Sequence, residues 1–224
     1  MYILIDGTDT EEYKLRVTEL PPIQIAQKRV EQVVVPGRSG YLTHWDGSYE
    51  EMIKTARFFY KDSFPERIAQ ILLAGRTVTF SNEPDFIYDY RLDITTDLIK
   101  TISTWHQFIV QFICNPIKRE VNPGVIVSDL PVTLISPCNH PAYPTIKLTG
   151  TGNVTLTVGD QTITLTDISP SITIDGITMD CYQDELTNSK MAGEFPVIEP
   201  NETVSISWTG DVSEVEISPN WRWV

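Results

Sequence analysis

The chain has 224 residues, of which 41% are hydrophobic and 21% charged. That balance excludes wholesale disorder and leaves room for one large β domain or two ordinary ones. The net charge of −13 disfavours attraction to phosphate backbones, and no apolar run approaches the ~20 residues that span a bilayer.

The start, Met1-Tyr2-Ile3-Leu4-Ile5-Asp6-Gly7, has no basic lead and too short an apolar segment for a signal peptide, so synthesis in a cytoplasm is expected. Tyr2 to Ile5 reads as a strand closed by Asp6-Gly7. Residues 13–20 alternate weakly, with Leu15 and Val17 on one face, and Pro21-Pro22 stops them. Val33-Val34-Val35 then runs into Pro36-Gly37, with Gly40 after it and Asp46-Gly47 further on. Pro fixes φ, Gly supplies positive φ and Asp-Gly suits a hairpin turn, so the stretch predicts strand, tight loop, strand, turn, strand. No helix pattern opens after Gly37 or Gly40, which excludes a phosphate cradle.

Residues 50–60 fit a helix face by Met52, Ala56 and Phe59. The aromatic end, and a fresh helix start just beyond, favour a strand. That start is a capping box, Ser63-Phe64-Pro65-Glu66, with Pro near the first helical position. Ile68, Ile71 and Leu72 form an apolar stripe and Gly75 suits the C′ position, so one helix is expected over about 64–74, packed on a sheet. Strands follow at 77–80, at 86–94 with Tyr88, Tyr90, Leu92 and Ile94 on one face, and at 105–114 with Phe108, Val110, Phe112 and Cys114 on one face.

Beyond residue 120 the character changes. Residues 1–119 hold 14 Lys+Arg against 16 Asp+Glu, and residues 120–224 hold 3 against 14. Pro123, Pro131, Pro137, Pro141 and Pro144 stiffen the entry to the acidic half, so the domain boundary is expected near 120. A short strand near 130–135 bridges into a Thr- and Val-rich half. Val154, Leu156 and Val158 face Leu165, Ile163 and Gln161 across Gly159-Asp160, a hairpin in which apolar meets apolar. The same arithmetic across Asp175-Gly176 pairs Ile174 with Ile177 and Ile172 with Met179. Strands at 203–208 and 212–217 complete an all-β half that reads as a sandwich.

The chemistry-bearing residues are sparse. His44, His106 and His140 are far apart and lack triad or ligand spacing. Asp89 and Asp93 lie on one strand rather than on two facing walls. Asp180, Asp184 and Glu185 lack the glycine and spacing of an EF-hand loop. Cys114, Cys138 and Cys181 show neither disulfide nor zinc spacing and read as buried small hydrophobes. No catalytic residue, metal site or cofactor is therefore expected. The alternative to a purely structural role is a carbohydrate-binding module that uses Trp208, Trp221 and Trp223, with Tyr182, as a sugar platform.

One resemblance covers most of the chain. It is carried by Pro36-Gly37-Arg38-Ser39-Gly40 before Asp46-Gly47-Ser48-Tyr49, by Phe64-Pro65 leading the helix, by Phe80-Ser81-Asn82-Glu83-Pro84-Asp85 with Tyr88, and by Phe112-Ile113-Cys114-Asn115-Pro116. Further pieces are Asn122-Pro123-Gly124, Tyr143-Pro144-Thr145-Ile146 with Gly150-Thr151-Gly152, Asp175, Gly193-Glu194-Phe195-Pro196 and Ile217-Ser218-Pro219-Asn220-Trp221-Arg222. In this order they resemble the distal tail protein (Dit) family of siphovirus-like bacteriophages. The resemblance implies a mainly β fold: an N-terminal ring-forming β domain with one helix (1–119) and a C-terminal galectin-like β-sandwich (120–224). It also implies a homo-oligomer, a hexameric ring in the virion at the phage tail tip or baseplate. That ring would join the tail tube protein to the tail-associated tip protein and carry receptor-binding protein at its rim, with no catalysis, no membrane and no high-affinity nucleic acid. Candidate contact residues for copies or partners are Gly37, Arg38, Gly40, Asp46 and Gly47.

Overall fold

The computed structural model describes residues 1–61, 65–92, 99–102, 105–121, 124–183, 186–187 and 190–224. The expected capping box at Ser63, the expected strand end at Asp93 and Ile94, and the Asp184–Glu185 pair lie outside them. The fold is mainly β, with a single α-helix among the described residues, Pro65–Ala74. The chain forms two compact units, Met1–Val121 with Val224, and Asn122–Trp223.

In the first unit the antiparallel order runs Thr8–Asp9, Ile3–Ile5, Thr77–Phe80, Phe86–Leu92, Trp105–Cys114, Met52–Tyr60, Leu15–Glu19. The period-2 alternation read along these segments becomes the core: Ile3, Ile5, Ala56, Phe58, Val78, Phe80, Tyr88, Phe108, Val110, Phe112 and Cys114 are all buried. Residues 50–60 resolve as the strand Met52–Tyr60, whose inward set is Met52, Lys54, Ala56, Phe58 and Tyr60. The helix buries Ile68 and Leu72, and the Tyr90 hydroxyl donates to the Leu72 carbonyl at 2.8 Å. Gly75 follows the helix for a reason other than the one expected. It is not left-handed; a Cβ there would collide with the Tyr90 hydroxyl and an Ile5 methyl. Close packing therefore selects glycine at this position.

The second unit is a two-layered, curled β structure. Two long strands, Thr145–Val158 and Thr203–Ser218, run side by side and serve both layers. Their first and last parts, 145–149 and 214–218, pair with Ser171–Asp175 and with Ile126–Ser128. Their other parts, 154–158 and 203–209, pair with Gln161–Ile168 and with Val132–Ile135. The two strands expected at 203–208 and 212–217 are thus one strand, bent where Gly210 sits at φ 119° and the register against 149–155 shifts. Between the layers lie Ile146, Leu148, Leu156, Ile163, Leu165, Ile174, Val204, Ile206, Val215 and Ile217.

The hairpin across Gly159-Asp160 has the expected register: Val158 opposite Gln161, Leu156 opposite Ile163, Val154 opposite Leu165. The second hairpin does not. Asp175 pairs with Asp180 and Ile174 with Cys181, so the loop is four residues long. The Asp175 carboxylate accepts from the Ile177 amide at 2.8 Å and the Thr178 amide at 3.3 Å, and Met179 takes φ 55°. A side-chain-capped turn replaces the two-residue turn, and Ile177 and Met179 go to solvent rather than across from Ile174 and Ile172.

Candidate functional site

The stretch from residue 28 to 49 folds as a two-stranded antiparallel arm, Lys28–Val34 against Tyr41–Tyr49, a sheet of its own. The tip is the loop 35–40, closed by the Arg38 amide donating to the Val35 carbonyl at 3.1 Å, with Gly37 and Gly40 at positive φ. The expected turn at Asp46-Gly47 is instead a bulge inside the second strand. Lys28 pairs with Tyr49 and Val30 with Trp45, so the second strand carries two extra residues there. Gly47 supplies φ 92°. The Asp46 carboxylate braces the bulge by accepting from the Ser48 hydroxyl at 2.6 Å and the Ser48 amide at 2.9 Å, and these bonds hold its pKa below the ordinary value. The Trp45 indole N–H donates to the Ser48 carbonyl at 2.7 Å, and the Lys28 ammonium sits 4.0 Å from the Trp45 ring centre.

Register assigns the faces. Val30 and Trp45, Gln32 and Thr43, and Val34 and Tyr41 share one face; Glu31 and His44, and Val33 and Leu42, share the other. Both faces meet solvent. Val34 is 68% exposed and Tyr41 62%, and Val30, Val33, Leu42 and Trp45 are exposed as well. An isolated two-stranded hairpin is marginally stable in water, and a concentration of exposed apolar side chains of this kind marks an interaction surface. The five candidate contact residues fall together on this arm: Gly37, Arg38 and Gly40 at its tip, Asp46 and Gly47 at its bulge.

A buried ion cluster in the first unit was not legible as a cluster in the sequence. Lys54 is 0% exposed and its ammonium lies 2.7 Å from Glu83 Oε2. Glu83 Oε1 accepts from the Tyr88 hydroxyl at 2.7 Å and from Lys118 at 2.9 Å. Lys54 also sits 4.5 Å from the Tyr88 ring centre, and Lys118 4.0 Å from that of Phe86. Burial raises the Glu83 pKa, but the bonds from Lys54, Lys118 and Tyr88 outweigh it and hold the carboxyl below its usual range. Burial, then the bond to Glu83, pushes the Tyr88 phenol up. Lys54 and Glu83 are buried, Lys118 is partly exposed, and each of the three charges has a partner, as in a stabilising buried network.

The remaining candidates do not converge. His44 stands on the arm opposite Glu31, and His106 lies on the 105–114 strand. His140 bridges to Arg222 in the second unit, where burial and then the Arg222 charge lower its pKa. Asp89 pairs with Arg119 at 2.6 Å. The three cysteines are buried and free, and burial raises the Cys114 thiol to about 12 and that of Cys181 to about 11. Trp221 is 7% exposed, Trp208 and Trp223 are half-buried against the sandwich core, and Tyr182 is half-buried. Burial leaves Trp221 with little ring face to offer a sugar. A groove of about 550 Å³ beside the helix is lined by Tyr13, Tyr60, Ile68, Ile71 and Ala74, with Glu12, Lys14 and Gln70. Among the described residues no group of three or more His, Cys, Asp or Glu could hold a metal ion, and no helix is long and apolar enough to cross a membrane.

The sequence matches no protein-family model and no curated protein. Among solved structures, the chain is similar to the Dit protein (gp 19.1) of phage SPP1, described as a paradigm of the hub adsorption apparatus in phages that infect Gram-positive bacteria. The TM-score is 0.70 at 12% identity, over 96% of each chain. The likeness establishes a shared fold across both units.

Proposed function

We propose that this chain is a structural virion protein, a distal tail hub without catalytic activity. Its copies close into a hexameric ring that joins the tail tube to the tip or baseplate and to receptor-binding protein. The observation that carries this reading is the apolar two-stranded arm, held out in solvent on a body with the fold of a phage hub protein. An arm of this kind needs a surface to cover it. A contact in which one copy's arm meets a different patch on the next copy is heterologous, and heterologous contacts close into rings when the rotation permits. In this reading Gly37, Arg38, Gly40, Asp46 and Gly47 shape the arm for that contact, the first unit forms the ring, and the second is a galectin-like sandwich facing other tail components. The protein is assembled in the bacterial cytoplasm and resides at the tail tip.

Light scattering and negative-stain imaging of the purified chain test the proposal. The expected result is a six-fold ring with a central hole, reduced to monomers by the double substitution V34S/Y41S. Monomers of the unsubstituted chain, alone and with tail tube protein added, would overturn it.

A further inference from the structure

The two outer faces of the second unit differ in chemistry. One is crossed by charge: Glu216 lies opposite Lys147 at 3.0 Å, and Glu214, Asp175 and Asp180 share that side. On the other, across parts of strands Val132–Ile135, Thr203–Ser218, Thr145–Val158 and Gln161–Ile168, a patch of alternate outward positions is uncharged, and the exposed Asp167, paired with Lys190 at 3.4 Å, stands at its end beside Thr166. There the inward set is Leu134, Val204, Ile206, Val154, Leu156, Val158, Ile163 and Leu165. The outward set is Thr133 and Ile135, then Thr203, Ser205, Ser207 and Thr209, then Thr155 and Thr157, then Thr162, Thr164 and Thr166. Register sets Thr164 beside Thr155 and Thr155 beside Thr209, and in the next row Thr162 beside Thr157 and Thr157 beside Ser207. Among the described residues, only Thr166 of this set makes a side-chain hydrogen bond, donating to the Lys190 carbonyl at 3.3 Å. The other hydroxyls are open to a partner.

A half with 14 acidic against 3 basic residues thus carries on one sheet face an uncharged patch of short side chains, most of which both donate and accept. Threonine's restricted χ1 holds these hydroxyls in place, so little rotamer freedom is lost on contact. Such a face costs little to desolvate for a neutral partner, while the acidic surroundings repel a polyanion. Its size argues against a second copy. At ~4.8 Å between strands and ~3.3 Å per residue, it covers roughly 20 by 15 Å, about 300 Å², well short of the ~800 Å² per partner of a stable protein interface. The strand spacing is close to the advance of one pyranose ring along an extended β-linked glycan, so a chain laid across the strands meets a hydroxyl pair at each step. We propose that this hydroxyl face is a docking surface for an extended, uncharged polysaccharide. Each contact is worth little against water, so single sugars do not compete and a polymer binds through repetition. The inference uses no tryptophan platform and does not rest on the ring reading.

Affinity electrophoresis of the full chain in native gels containing hydroxyethylcellulose or galactomannan tests it, with co-sedimentation on microcrystalline cellulose. The expected result is retardation by the neutral polymers that is insensitive to salt and to free glucose, with none by polygalacturonate. The triple substitution T157V/T164V/S207A, which keeps the pleated shape, binds at least tenfold more weakly, as does the single substitution T164K. T173V, on the charged face, leaves binding unchanged. Circular dichroism confirms that each variant is folded. Three results would overturn the proposal: no retardation or sedimentation by any neutral polymer, equal binding by the triple variant, or self-association of the chain that the triple variant abolishes, which would assign the face to a second copy.

Discussion

The arm at residues 28–49 and the strand Met52–Tyr60 that follows it invert the common rule within one short stretch of chain. The arm holds Val34, Tyr41 and Trp45 in water, while the strand buries Lys54 completely. Each inversion has its own compensation. Lys54 is stabilised inside the same unit by Glu83, and Glu83 in turn by Tyr88 and Lys118. The arm's apolar side chains find no such cover in their own unit among the described residues. A buried charge with its partners is compensated within the unit; an apolar hairpin in solvent is not, and in the proposed reading its cover is another copy of the chain.

The largest effect comes from breaking the buried side of this contrast. E83Q leaves Lys54 without its counter-charge and should lower unfolding stability by ~3–5 kcal/mol, read from the urea midpoint; an unchanged midpoint would mean the cluster is slack. Next, G75A forces the helix end off Tyr90 and Ile5 and should cost ~1–3 kcal/mol, the range for overpacking. The acid limb sharpens the electrostatic argument. Because the folded pKa of Glu83 lies below its unfolded value, its stabilisation is complete above the unfolded value of ~4.3 and is lost as pH falls through the lower folded one. Stability measured downward from pH 5 should therefore fall more steeply for the unsubstituted chain than for E83Q. On the arm the expectation reverses. V34S/Y41S should shift monomer stability by less than ~0.5 kcal/mol while removing self-association, since these side chains meet water in the monomer. The smallest effect is that of D46N, which weakens the Ser48 brace and should appear only as faster amide exchange at the bulge.

Much of the fold was legible where the signal is local. The register of the 154–165 hairpin follows from alternating apolar residues around a two-residue turn, and both decide the same pairing. The Asp175 hairpin and the Asp46-Gly47 bulge were misread for one shared reason. In each, an aspartate carboxylate bonds amides two or three residues on, and that competes with the two-residue turn suggested by Asp-Gly. The candidate contact residues Gly37, Arg38, Gly40, Asp46 and Gly47 were legible as turn chemistry, but their gathering on a solvent-exposed arm was not. Polar and apolar residues alternate too weakly from 28 to 49 to show whether either face is covered.

The sequence by itself determined the β-rich class, the position of the helix, the change of charge near residue 120 and the apolar alternation that fills both cores. These follow from backbone geometry and side-chain periodicity over a few residues. Only the tertiary structure decided that Lys54 faces inward onto a glutamate 29 residues away, that two long strands bend to serve both layers of the sandwich, and that hydroxyls from four strands gather in one patch on a sheet face. Those features depend on which distant segments pair, and hydrogen-bonded register between strands far apart in sequence is set by the packing of the whole unit rather than by any local run.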